Sequence, residues 1–185
     1  MKKVILAVLA LSFVSTVGFA QGMSQDVRDH SIGEVKLNFL NTILLGSVEL
    51  GYEHFIGRDQ SISVEGHFND RFGYVSTSDG RDFNATALQV AYNFYFDSPT
   101  QGQMYVFPFF KYRFGDFTET VAQSAPLVTN LNSAILGLGG GYKWVFNEQF
   151  AMGPYASIAR GFGSDAANRF SAIEFKAGFS IGYRF

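Results

Sequence analysis

The sequence predicts an all-β fold: an eight-stranded antiparallel up-and-down transmembrane β-barrel with both termini at one end. Three observations predict it. The chain after the first 20 residues alternates apolar and polar positions with period two. It is rich in aromatics, with 21 Phe and 9 Tyr in 185 residues, yet carries no later apolar run near the roughly 20 residues a spanning helix needs. Its connections alternate between tight turns and long polar loops, as in barrels with short turns at one rim.

Residues 1–20 read as a cleaved secretory signal peptide. Lys2 and Lys3 form a basic start, an apolar run follows, and Gly18-Phe19-Ala20 places small residues where a signal peptidase reads. Residues 21–32 form a short polar tail, and 33–185 form the barrel. The leader removes two Lys and no acid, which leaves 12 basic against 16 acidic residues, a charge of −4. That balance offers no footprint for nucleic acid. With no Cys, the exported chain has neither disulfides nor thiolate metal sites. No metal-ligand spacing, phosphate loop or nucleophile elbow occurs, so no cofactor is expected.

The strands fall at 33–40, 47–56, 61–69, 85–96, 104–114, 134–146 and 150–162, with a last one ending the chain. In that last strand Ile173, Phe175, Ala177, Phe179, Ile181, Tyr183 and Phe185 share one face. Glu174, Lys176, Gly178, Ser180, Gly182 and Arg184 share the other. Pro108 and Pro154 interrupt two strands, where bulges are expected. The turns at 57–60, 98–102 and 147–149 are short. The loops at 70–84 and 115–133 are long, and 163–170 is intermediate. The first connection, 41–46, is short and apolar and breaks the rhythm. Eight strands return both termini to the periplasmic side.

Alternation alone does not say whether the apolar face meets lipid or a protein core, because a secreted sandwich alternates in the same way. Three features favour lipid. Tyr92, Phe94, Phe96, Tyr142, Trp144, Phe146 and Tyr183 collect at strand ends, as an aromatic girdle would. The polar face is small, with Gly51, Gly137, Gly139, Gly141, Gly178 and Gly182, which suits a narrow lumen. The chain ends on Ile181, Tyr183 and Phe185 on one face, similar to the signal by which outer-membrane barrels are recognised for assembly. Lipid cannot satisfy exposed backbone groups, so the sheet must close.

Strand parity places Glu34, Lys36, Glu49, Glu53, Glu65, His67, Lys111, Arg113, Lys143, Glu174, Lys176 and Arg184 in the lumen. Five acids against six bases suggest ion pairs rather than a one-signed ring. Two other readings stay open. One is a narrow channel for ions or small solutes, suggested by the lumenal glycines. The other is an outer-leaflet lipid acyl hydrolase, with His67 beside Glu65 and Ser133 or Ser171 as nucleophile. Apolar residues in the long loops, Phe72, Tyr74, Phe83, Phe117, Leu127 and Leu131, either contact a partner or fold over the mouth.

Residues 35–42, with Lys36-Leu37-Asn38, and residues 46–55, with Glu49-Leu50-Gly51-Tyr52, resemble the opening hairpin of an uncharacterised family of small bacterial outer-membrane proteins. Leu50 separates the glutamate and glycine that the family keeps adjacent. Residues 106–114 resemble the family's glycine–proline–aromatic strand, with Phe107 in place of the glycine. The likeness covers most of the mature chain. It implies an outer-membrane barrel and no catalytic residues, since the family has no assigned reaction. More loosely, the pattern resembles OmpA/OmpX-type eight-stranded barrels, which implies structural, adhesive or partner-binding roles. The expected function is therefore structural or interactive, as an accessory to a larger envelope complex. Its expected partners are outer-membrane lipid and, during biogenesis, the barrel assembly machinery.

Overall fold

The computed structural model describes residues 32–57, 59–70, 81–96, 102–120, 126–163, 168 and 170–185. The leader and all of the tail but Ile32 lie outside the described residues, as do Phe72 and Tyr74. The strands are β1 (Gly33–Asn38), β2 (Val48–Phe55), β3 (Gln60–Phe68), β4 (Arg81–Phe96), β5 (Gly102–Glu119), β6 (Leu127–Asn130), β7 (Ser133–Phe146), β8 (Phe150–Phe162) and β9 (Ile173–Arg184). One helix, α1 (Phe39–Leu45), joins β1 to β2.

The sheet is antiparallel throughout and closes on itself. Its order is β4-β3-β2-β1-β9-β8-β7-β5, and β4 pairs β5 to complete the ring of eight. The closing seam is β1 on β9, from Glu34↔Arg184 to Asn38↔Ser180. Phe185 then bonds back to Gly33 through backbone N–H and C=O groups in both directions. The start of β1 and the end of β9 therefore sit at one rim, called here the turn end, with the loop end opposite.

Four expectations change. The 41–46 connection is not a loop but part of α1. Asn38 caps it, accepting from the Asn41 N–H at 3.2 Å, and Gly46 ends it in the left-handed region at φ 63°. The loop expected over 115–133 holds more strand: β5 runs on to Glu119, and β6 pairs with that extension from Asp116↔Asn130 to Glu119↔Leu127. β6 is thus a ninth strand outside the ring. The long loop before β4 is also shortened, because β4 begins at Arg81. The bulges expected at Pro108 and Pro154 are absent. β4 and β5 keep one register on both sides of Pro108, from Ala91↔Phe109 to Phe94↔Val106. β7 and β8 do the same around Pro154, from Gly141↔Tyr155 to Trp144↔Met152. A proline lacks the N–H, so pairs drop out locally, but no extra residue is inserted.

The turn between β7 and β8 explains its residues. Asn147 and Glu148 both take positive φ, 50° and 61°, and Gln149 N–H reaches Phe146 C=O at 3.1 Å. Two successive left-handed residues match the twist of a tight hairpin.

The outward face is apolar from rim to rim. Val35, Leu50, Ile62, Val64, Leu88, Val90, Val106, Phe110, Leu136, Leu138, Ile158, Phe175 and Ile181 are all exposed. So much continuous exposed apolar surface is foreign to a water-soluble monomer. At the turn end it is edged by Phe94, Phe96, Trp144, Phe146, Phe150, Tyr183 and Phe185, with Tyr92 and Tyr142 half-buried. Tyr142 packs edge-on to Trp144 at 5.0 Å, and Phe150 on Tyr183 at 5.5 Å. Phe68, Tyr112, Phe114 and Phe162 edge the loop end.

Candidate functional site

The lumen is the candidate site, because every buried charge among the described residues points there. Period-two alternation sends all twelve side chains named from the sequence to the inner face, and the structure sorts them into two networks.

The turn-end network centres on Lys143 of β7. Its ammonium donates to Glu34 Oε1 and Glu53 Oε2, both at 3.0 Å, and to the Tyr95 hydroxyl at 2.9 Å. Arg184 Nε donates to Glu34 Oε2 at 2.8 Å. Ser61 Oγ and the Tyr95 hydroxyl donate to Glu53 Oε1. Lys36 lies 2.6 Å from Glu65 and 3.7 Å from Glu53. Strands β1, β2, β3, β4, β7 and β9 all contribute.

The loop-end network centres on Arg113 of β5, a fully buried guanidinium. It grips Glu174 with two parallel bonds, 2.7 and 2.8 Å, and donates from Nε to Asp70 at 2.8 Å. The fork geometry of a guanidinium suits such bidentate pairing. Lys111 donates to Asp70 at 3.2 Å, and Lys176 lies 2.6 Å from Glu49. Lys176 also donates to His67 Nδ1 at 3.0 Å, which places the ring proton on Nε2. His67 Nε2 is buried without a hydrogen-bond partner.

Asp70 was not foreseen, because it follows the end of β3 and reads as loop. It is almost fully buried. Burial by itself would raise its carboxyl; the Lys111 ammonium and the Arg113 guanidinium beside it outweigh that and hold it well below the usual carboxylate range. With Asp70 the two networks hold six carboxylates and six Lys or Arg cations, so the shortfall of one acid in the sequence reading disappears.

Rings fill the space beside the charges. Tyr95, Tyr105, Phe107 and Phe109 form a ladder with successive centroids 5.4, 5.6 and 5.9 Å apart. Gly141, Gly139 and Gly137 on β7 pair with Tyr105, Phe107 and Phe109 on β5. A Cβ at any of these glycines would collide with the ring opposite. The lumenal glycines therefore seat rings rather than line an open path. Parity held this signal: the three β5 rings share a face with Lys111 and Arg113. Gly139→Leu is expected to destabilise the barrel by about 1–3 kcal/mol through overpacking. Adding Phe107→Ala should recover most of that loss in urea melts.

At the loop end Ala85, Phe117 and Leu131 form a second buried cluster with Phe170 against it. Two of the apolar loop residues, Phe117 and Leu131, thus fold over the mouth, while Leu127 stays exposed. A polar cavity of about 30 Å³ lies between the two networks, bordered by Lys36, Asn38, Glu49, Glu65, His67, Tyr155 and Lys176. That is room for a water molecule or two.

An acyl-transfer set does not assemble around His67 among the described residues. Ser133 Oγ donates to the Leu131 carbonyl, and Ser171 Oγ accepts from the Ile173 N–H. Nor is any group of three or more histidine or acidic side chains among the described residues placed to hold a metal ion.

Comparison with solved structures gives the fold. The N-terminal β-barrel domain of Pseudomonas aeruginosa OprF is similar with a TM-score of 0.51 at 16% identity, covering 83% of this chain and 95% of that one. Neisserial surface protein A is similar with a TM-score of 0.53 at 13% identity, covering 82% and 91%. No family model and no curated protein matches the sequence.

Proposed function

We propose that this chain is a small outer-membrane β-barrel of a Gram-negative bacterium that does not conduct and serves a structural or interaction role, as an accessory to a larger envelope complex. The observation that carries it is the division of the wall: apolar and aromatic outside, charge-balanced and filled inside. In this reading the turn end is periplasmic and the loop end faces outward. The resemblance of residues 35–42 and 46–55 to a small outer-membrane family supports it, as does the shared fold with OprF and the Neisserial surface protein.

A channel needs a continuous polar path, and here the rings and two ion-pair layers occupy it. Partners would then meet the loops, the β5–β6 extension or the apolar belt rather than the lumen. Two measurements test the reading. Purified protein in a planar bilayer is expected to give no steady current; a stable unitary conductance would overturn it. Mild detergent extraction should bring the tagged chain out in a stoichiometric complex; migration alone in a micelle would remove the accessory role.

A further inference from the structure

The ring of strands is complete at the turn end but not at the loop end. β1 stops at Asn38↔Ser180, while β9 runs on to Ile173. β2 begins only at Val48, and its pairing with β1 starts at Leu50. Among the described residues, no strand pairs with the β1 side of 173–179. In that half the wall between β2 and β9 is α1, two turns long. Its Phe39, Leu40, Ile43 and Leu44 are exposed and continue the apolar belt.

What anchors α1 differs from what anchors a strand. Toward the lumen it is tied by two side chains: Asn38 Nδ2 donates to Glu49 Oε2 at 2.7 Å and to the Tyr155 hydroxyl, and Asn41 Nδ2 donates to Glu49 Oε1 at 3.2 Å. So short a helix is marginal on its own. A segment held by a few side-chain bonds opens more readily than one held by a backbone ladder. Behind it lies the polar cavity, bordered by Asn38 and Glu49 and by His67, whose Nε2 makes no hydrogen bond and lies 3.6 Å from Glu65. Arg113 with Asp70 and Glu174 closes the loop-end route to that cavity, and Lys143 with Glu53 and Tyr95 closes the turn-end route. Among the described residues, displacing the helix opens the cavity without breaking an ion pair in either layer.

We propose that α1 is a lateral gate joining the lumen cavity to the outer half of the bilayer, admitting the polar group of a membrane amphiphile. This rests on the outer-membrane reading above. The entrance is apolar, so what enters carries an apolar tail. The cavity offers Lys36 and Lys176 together with Glu49 and Glu65, so the group it receives is neutral or zwitterionic rather than a free ion. The cavity as it stands has room for a water molecule or two, and the amphiphile's polar group enters as α1 swings about Asn38 and Gly46.

The chain has no Cys, so Ser157→Cys, at the cavity wall, is a clean reporter. In liposomes it is labelled by two reagents: a bilayer-partitioning pyrene maleimide and a charged, water-soluble methanethiosulfonate. The pyrene reagent is expected to react faster. Adding Asn41→Ala, which removes one tie, should speed it about two- to tenfold. Equal rates, preference for the charged reagent, or no response to Asn41→Ala would overturn the gate. Should Asn41→Ala not fold, hydrogen exchange of the unmodified chain decides. Amides of α1 are expected to exchange faster than those of β1 and β2, and equal protection overturns the gate. Flotation of the same liposomes separates the two readings: a chain that does not float fails as a membrane protein, whereas one that floats with a silent reporter fails only as a gate.

Discussion

Lys143→Met is expected to destabilise the barrel by about 3–5 kcal/mol, the range for removing one partner of a buried ion pair. The side chain is almost fully buried, and its loss leaves Glu34 and Glu53 facing each other without the cation between them. Methionine keeps the volume, so the effect reads charge rather than packing. A urea midpoint in detergent micelles checks it. Glu53→Gln on the same background should restore part of the loss, because one uncompensated carboxylate disappears. Equal midpoints for Lys143→Met and the unmodified chain would show that water reaches this layer, and the non-conducting reading would fall with it.

Asp70→Ala is expected to cost a similar amount, about 3–5 kcal/mol, for the mirror reason: it leaves the buried Lys111 with only the longer 3.6 Å contact to Glu174 and the Arg113 Nε without its anion. Its pH dependence has a definite sign. The folded carboxyl titrates well below the unfolded one, near 3.9. Its contribution is therefore present above that unfolded value and is lost as pH falls toward the folded value. Midpoints of the unmodified and Asp70→Ala proteins should differ fully at neutral pH and converge in strong acid. A difference that stays constant through that range would remove the charge from the explanation.

Asp70 also shows where sequence reading stopped. Parity is a property of strands, and it assigned the twelve lumenal side chains because each lies inside one. Asp70 sits beyond Phe68, after Asn69 at φ 56° turns the chain inward, and no period reaches it. The same limit hid α1. Seven residues are too few to display a helical period, although Asn38 before the apolar run and Gly46 after it are the cap residues of a helix. The aromatic ladder was legible but overshadowed. Alternation puts Tyr105, Phe107 and Phe109 on the face of Lys111 and Arg113, and the β7 glycines, which suggest a narrow lumen from the sequence, are the seats for those rings. Strand number within the ring was legible from the turns, whereas the β5–β6 extension lay in polar sequence that reads equally as loop.

The ion pairs of Glu34 in the turn-end layer join residues far apart in the chain. Glu34 meets Arg184 across 150 positions and Lys143 across 109. The Glu34–Arg184 pair does not exist until the first and last strands meet. An open, half-inserted sheet would hold the same carboxylates and ammonium groups bare against hydrocarbon, at a cost far above that of the paired state. On the outer-membrane reading proposed above, insertion and closure are expected to be coupled. The rate-limiting barrier is expected to contain most of the loop-closure entropy of the whole chain.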